Sequence, residues 1–181
     1  FPYREGRGYS LGIGTINKQR QEGEHFMNNQ STPTVERHFG VTMTWHIQGP
    51  ENGGVFSLGE ASLHPGDEPP MHIHAREDEA WFILEGSILF QCGMERLLRN
   101  AGQSILLPRG VPHGFAVMSP SARILHFYPP AGIEAAFHKT SSPLTAPPQA
   151  LLPGEVEAAF GDCGVTFVGP PLPITLAAEK S

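Results

Sequence analysis

The chain has 181 residues, 18 Asp and Glu against 12 Lys and Arg, and a formal net charge of −6. No run of basic residues exceeds a dipeptide, which argues against a surface that tracks nucleic-acid phosphates, and no apolar run approaches the ~20 residues of a membrane span. The 21 Gly and 18 Pro favour a turn-rich β protein over a helical one.

Residues 1–36 are polar and Gly-rich and read as an N-terminal arm, with one or two short strands around Tyr9 to Ile16. They contain no apolar signal core. The first Met is Met27, so the sequence is read as trimmed or preceded by further residues. Strand signals begin at Val41 to Ile47, V-T-M-T-W-H-I, which alternates strictly. Further strands are expected over 55–63, 71–74, 79–84, 87–91, 104–107, 114–118 and 122–128, separated by turns of Gly, Pro and Asn. Many short strands at regular spacing predict an all-β sandwich or barrel, and a double-sheet jelly roll over 37–130 fits best. Beyond Pro130 the pattern changes. Short helices are expected over 133–138 and 154–161, joined by a Pro-rich connector, with one more strand over 165–168. Residues 131–181 are therefore read as a C-terminal extension that packs on the barrel or on a partner subunit. Two cysteines, Cys92 and Cys163, form no metal-spaced pair and suit free thiols in a reducing compartment, so a cytoplasmic location is expected.

The chemistry concentrates in two runs. From Gly66 to Gly86 the chain reads G-D-E-P-P-M-H-I-H-A-R-E-D-E-A-W-F-I-L-E-G, and from Gly102 to His113 it reads G-Q-S-I-L-L-P-R-G-V-P-H. Residues two apart on a strand face the same way, so His72 and His74 point into a lumen together. Glu79 shares its facing with Trp81 and Ile83. His113 follows a rigid turn, and Phe115 and Val117 share its parity. Three imidazoles and a carboxylate make a complete ligand set for a divalent metal.

The combined spacing, G-x5-H-x-H-x4-E-x6-G followed by G-x5-P-x-G-x2-H, resembles the two signature motifs of the cupin superfamily over residues 41–128. Within it, H-x-H-x-R-E-D-E-x-W and P-R-G-x-P-H are similar to small single-domain cupins resembling quercetin 2,3-dioxygenase. The one departure is Val117, where the second motif often carries Asn, at a position that holds no metal in the family. The resemblance implies a double-stranded β-helix barrel with short C-terminal helices. It also implies that His72, His74, Glu79 and His113 ligate one divalent transition metal: Fe, Mn, Ni, Co, Cu or Zn. It further implies that Glu79 takes a substrate proton when it swings from the metal.

Other residues carry weaker expectations. Met43, Trp45, Phe56, Trp81, Ile83, Phe115, Val117 and His126 are the expected walls of a substrate pocket, although His126 reads first as a satisfied core histidine. Glu77 and Asp78 read as a solvated acidic loop. Glu60 reads as an edge salt bridge, with an inward role beside an imidazole as the sharper option. Three functions remain open: a dioxygenase acting on a flavonol- or polyketide-like enolic or aromatic small molecule; an oxygen-independent isomerase, cyclase or lyase; and a metal-containing binding module without turnover. Barrel edges and a Gly-rich arm suggest a homodimer.

Overall fold

A computed structural model describes residues 32–148, 150–152 and 154–173. The expected strands around Tyr9 to Ile16 lie outside the described residues. In chain order run β1 (Thr34–His38), β2 (Val41–Ile47), β3 (Ser57–Leu63), β4 (Pro70–His74), β5 (Glu79–Glu85), β6 (Ser87–Cys92), β7 (Glu95–Asn100), β8 (Ser104–Leu107), β9 (His113–Val117) and β10 (Ala122–Tyr128). Then follow α1 (Glu134–Thr140), β11 (Ser141–Pro143), α2 (Glu155–Asp162) and β12 (Val165–Pro171).

The strands form two antiparallel sheets of a jelly-roll barrel, ordered β11-β1-β2-β3-β10-β5-β8 and β12-β4-β9-β6-β7. Period-two alternation sends one row of side chains from each strand inward. Val41, Met43 and Trp45 of β2, Trp81 and Ile83 of β5, Ile88 and Phe90 of β6, and Ile124 of β10 meet in one apolar core. Each such side chain removed from water contributes roughly 1.5–3 kcal/mol before its ordering cost. The turn from β5 to β6 depends on Gly86. Its φ is 82°, and a Cβ there would lie 2.4 Å from the Ser121 carbonyl oxygen, so only glycine fits.

Three strands were not legible in the sequence. β7, E-R-L-L-R-N, is an edge strand whose side chains are mostly exposed, and it lacks the apolar alternation that marks a buried face. β1 buries chiefly a charged residue, Glu36, and β11 is three residues with no large apolar side chain. β3 places Glu60 outward, as the edge-salt-bridge reading expects, but it does not supply Phe56 as a pocket wall. Ser57, Gly59, Ala61 and Leu63 point inward, while Leu58 and Glu60 are on the outer face, and Phe56 precedes the strand with its ring 4.9 Å from that of Phe127. No helix among the described residues is long and apolar enough to cross a membrane.

Candidate metal centre

The two sheets each bring part of one cluster. His72 and His74 lie on β4 and His113 opens β9, both in the five-stranded sheet, and His72 is registered directly opposite His113. Glu79 opens β5 in the facing seven-stranded sheet. One ligand atom from each of the four residues falls within 4.8 Å of the others. The loops that carry them are latched together outside the barrel. Asp78 receives the backbone N–H of Arg109 at 3.0 Å and its guanidinium at 2.8 and 3.0 Å. That pairing holds the Asp78 carboxyl down at about 2. Gly110 N donates to the carbonyl of His74 at 2.8 Å, so the turn before His113 is tied to the strand of the other imidazoles.

The imidazoles are oriented by what their outer nitrogens do. His72 Nδ1 lies 2.8 Å from the Pro70 carbonyl and His113 Nδ1 lies 2.9 Å from the Val111 carbonyl. A carbonyl only accepts, so both Nδ1 atoms carry a proton and both Nε2 atoms are turned inward. His113 Nε2 and His74 Nε2 stand 3.2 and 3.7 Å from Glu79 Oε2. His74 Nδ1 faces Glu77 Oε2 at 3.5 Å, and among the described residues neither atom has a hydrogen-bond partner. Glu77 is 2 % exposed, which corrects the expectation of a solvated acidic loop. Its neighbour Asp78 takes the outer, Arg-paired side.

Glu79 divides its two oxygens. Oε1 accepts from Trp81 Nε1 at 2.6 Å and from the Tyr128 hydroxyl at 2.7 Å, which leaves Oε2 to the imidazoles. Burial works to raise its pKa, yet the hydrogen bond with His113 and the charges of the three imidazoles outweigh it and hold the carboxyl below its usual range. Burial pushes His72 down to about 4. For His113 burial also acts downward, but the hydrogen bond to Glu79 prevails and raises it. Tyr128 is pushed up by burial and by the Glu79 charge, so its hydroxyl keeps its proton and donates it. Because that single proton goes to Glu79, His126 Nδ1, 3.1 Å from the same hydroxyl, is the donor to Tyr128. Among the described residues His126 Nε2 then has no partner, and burial pushes this ring down to about 4.

The cluster is set in the wall of a cavity of about 390 Å³. Of the expected pocket residues, Met43, Trp81, Phe115 and His126 line it. Trp45, Ile83, Val117 and Phe56 are not among its walls. The first three are packed into the core, and Phe56 sits outside the barrel against Phe127. Gly59 explains part of the mismatch: a Cβ there would lie 2.1 Å from His126 Nε2, so the space that a large inward side chain would fill is taken by the His126 ring. Glu60, on the outer face, pairs with His46 at 3.2 Å and Arg123 at 2.9 Å, as an edge salt bridge. Among the cavity-facing groups without a sequence signal are Tyr128, a strand-end aromatic; Phe137 and Phe160 in short helices; and Phe167 on β12.

Four convergent donors, three of them imidazoles and two of these with outer nitrogens held by backbone carbonyls, fit a divalent transition metal. A match to known proteins agrees with this geometry. The family model of the cupin domain matches residues 59–128. This chain carries a cupin domain. Over 106 residues the cupin is 26% identical to a quercetin 2,3-dioxygenase of Bacillus subtilis, a match that covers 59% of this chain and 28% of that protein. This chain thus spans under a third of that relative's length. An RmlC-like cupin from Shewanella frigidimarina shares the fold, with a TM-score of 0.50 and 17% identity over 59% of this chain and 95% of that one.

Proposed function

We propose that this cupin is a metal-dependent dioxygenase acting on an uncharged, enolic aromatic small molecule of flavonol- or polyketide-like chemistry. The observation that carries the reading is the set of His72, His74, Glu79 and His113 gathered in the wall of a mostly apolar cavity. The similarity to a quercetin 2,3-dioxygenase over the barrel supports it. The four residues would hold one divalent transition metal through the three Nε2 atoms and Glu79 Oε2. When bound, such an ion supplies Lewis-acid and redox chemistry to a chelating pair of substrate oxygens.

The remaining work belongs to the chain's own residues. Trp81 and Tyr128 hold Oε1 of Glu79, so Oε2 is the oxygen that receives the proton of a substrate hydroxyl. The carboxylate can pivot about Oε1 to take that proton without losing its anchor. Trp81, Phe115 and Leu107 exclude water from the reacting edge and position it by shape. The free thiols Cys92 and Cys163 suit the cytoplasm, and the outer edges of the two sheets suit pairing with a second copy of the chain.

The test is an assay of metal-loaded protein with a flavonol panel, with and without dioxygen. Oxygen uptake in step with substrate loss is expected. Equal turnover under strict anaerobiosis would contradict the reading and favour an isomerase, cyclase or lyase on the same ligands. Binding of substrate with no turnover in either atmosphere would leave a binding module. Sedimentation at micromolar concentration is expected to give a dimer, and a monodisperse monomer would contradict that part.

A further inference from the structure

The cavity lining comes from three parts of the chain: residues 38–43, the matched cupin segment, which ends at residue 128, and the C-terminal extension. Phe137 of α1, Val156 and Phe160 of α2, and Phe167 of β12 all line the cavity. Their rings form a continuous arc. Phe167 lies 6.3 Å from the ring of His72, Phe160 lies 6.1 Å from Phe167, and Phe137 lies 5.1 Å from Phe160 at 81°. Phe137 then meets Trp45 at 5.5 Å and His126 at 6.4 Å, on the opposite sheet. The arc therefore runs from an imidazole of the metal cluster, across the extension, to the far wall.

This arc is built onto the cluster rather than laid loosely over it. β12 is the hydrogen-bonded neighbour of β4, with Val165 opposite His74 and Phe167 opposite His72. Ala75 N donates to the Gly164 carbonyl at 2.9 Å, and Arg76 Nη1 donates to the Asp162 carbonyl at 3.0 Å. Lys139 of α1 pairs with Asp162 of α2 at 3.0 Å, which joins the two helices that carry Phe137 and Phe160.

The charge of the lining narrows what the cavity accepts. Among the described residues no Lys or Arg lines it. Its acids away from the cluster, Asp67 and Glu68, are engaged by backbone donors: His64 N on Asp67 at 2.7 Å, and Val117 N and Gly66 N on Glu68 at 3.0 and 2.8 Å. A phosphate or carboxylate on a ligand would find no counter-ion beyond the metal, and its desolvation would oppose binding.

We infer that the C-terminal extension is the specificity element of this site, and that its Phe137–Phe160–Phe167 arc selects an uncharged, planar aromatic ring system carried beside the chelating oxygens. The inference rests on the metal reading for the chelating end, and it adds which residues choose the ligand. Aromatic faces and edges presented at such angles favour ring partners over aliphatic ones of equal area.

The test uses zinc-loaded full-length protein without oxygen and two probes. 3-Hydroxyflavone carries both the chelating oxygens and the rings, whereas acetylacetone carries the chelating oxygens alone. In Phe160→Leu and Phe167→Leu, which keep most of the volume, 3-hydroxyflavone is expected to bind about tenfold more weakly. Acetylacetone affinity and zinc content are expected to stay within about twofold of the parent protein. Unchanged 3-hydroxyflavone binding, or an equal loss for both probes, would overturn the inference. A third measurement separates it from the function proposed above. Flavone, which lacks the chelating hydroxyl, is expected to bind metal-free protein and to lose affinity in Phe160→Leu. If it does so while no oxygen is consumed in the flavonol assay, the dioxygenase reading fails and the specificity element stands. If oxygen is consumed and the Phe variants bind both flavones as the parent does, the specificity element fails alone.

Discussion

Two of the histidine–carboxylate clusters in this cupin use the same residue types in opposite ways. In the outer cluster Glu36 accepts from Trp45 Nε1 at 2.9 Å and pairs with His138 Nδ1 at 2.9 Å, while His138 Nε2 meets Gln48 Oε1 at 2.7 Å. Both nitrogens of His138 are spent on protein partners, and the cluster fastens α1 to β1 and β2. In the inner cluster His72 and His113 each tie one nitrogen to a backbone carbonyl and turn the other toward a common point beside Glu79 Oε2. The difference teaches that a ligand site is recognised by where the second nitrogen goes, not by the presence of histidines and a carboxylate.

The contrast breaks most sharply under substitution. His113→Ala in the inner cluster is expected to weaken metal binding roughly 100-fold or more, whereas His138→Ala in the outer cluster should leave it unchanged. Elemental analysis after dialysis against a weak chelator reads both. Retention of full metal content by His113→Ala would remove His113 from the ligand set.

Acid separates the clusters next. In metal-free protein His126 titrates at about 4 when folded, because of burial, against an ordinary value near 6.5. The unfolded chain takes up that proton first, so the stability is complete above about pH 6.5 and falls as the pH drops toward 4. The loss from this residue is up to roughly 3 kcal/mol. Denaturant unfolding across that window is expected to show it, and His126→Gln should reduce the slope, with the shares of His72 and His38 remaining.

Glu77→Gln probes the support behind the cluster. It keeps the shape but removes the carboxylate that faces His74 Nδ1. Metal affinity is expected to fall by about 10- to 100-fold, with the fold unchanged by circular dichroism. An unaltered affinity would make Glu77 a packing residue only.

The smallest effect belongs to the outer cluster, and its sign is reversed. The hydrogen bond with Glu36 raises the pKa of His138. Its contribution is present below the unfolded value and is lost as pH rises through the raised folded value. His138→Gln should therefore remove a shallow decline in stability that sets in as the pH rises past the ordinary value of 6.5. A slope that persists in this variant would assign the decline to another group.

What the sequence made legible follows from how local each signal is. His72, His74 and Glu79 lie within one run punctuated by Gly66 and Gly86: strand parity puts the two imidazoles on one face of β4, and the short loop to β5 returns Glu79 to them from the facing sheet. His113 lies behind the rigid turn of its own run. Glu77 was misjudged because neighbouring acids look alike in sequence, and only the tertiary pairing of Asp78 with Arg109 shows which of them turns outward. The pocket failed for a related reason. Phe56 looked like an inner wall because it is large and apolar, yet the lumen at β3 needs the smallest residue, Gly59, to seat the ring of His126 from the neighbouring strand. Phe137, Phe160 and Phe167 belong to helices and a strand whose approach to the barrel is set by the β4–β12 pairing, a contact more than 90 residues apart in the chain for Val165 and His74.

The central claim is that His72, His74, Glu79 and His113 hold one divalent metal. X-ray absorption at the metal edge of protein loaded with one equivalent of zinc tests it most directly. The expected first shell is nitrogen and oxygen at about 2.0–2.2 Å, with the outer-ring scattering of three imidazoles, and that scattering diminishes in His74→Ala. A shell of light atoms with no imidazole scattering, or a spectrum identical in His74→Ala, would contradict it.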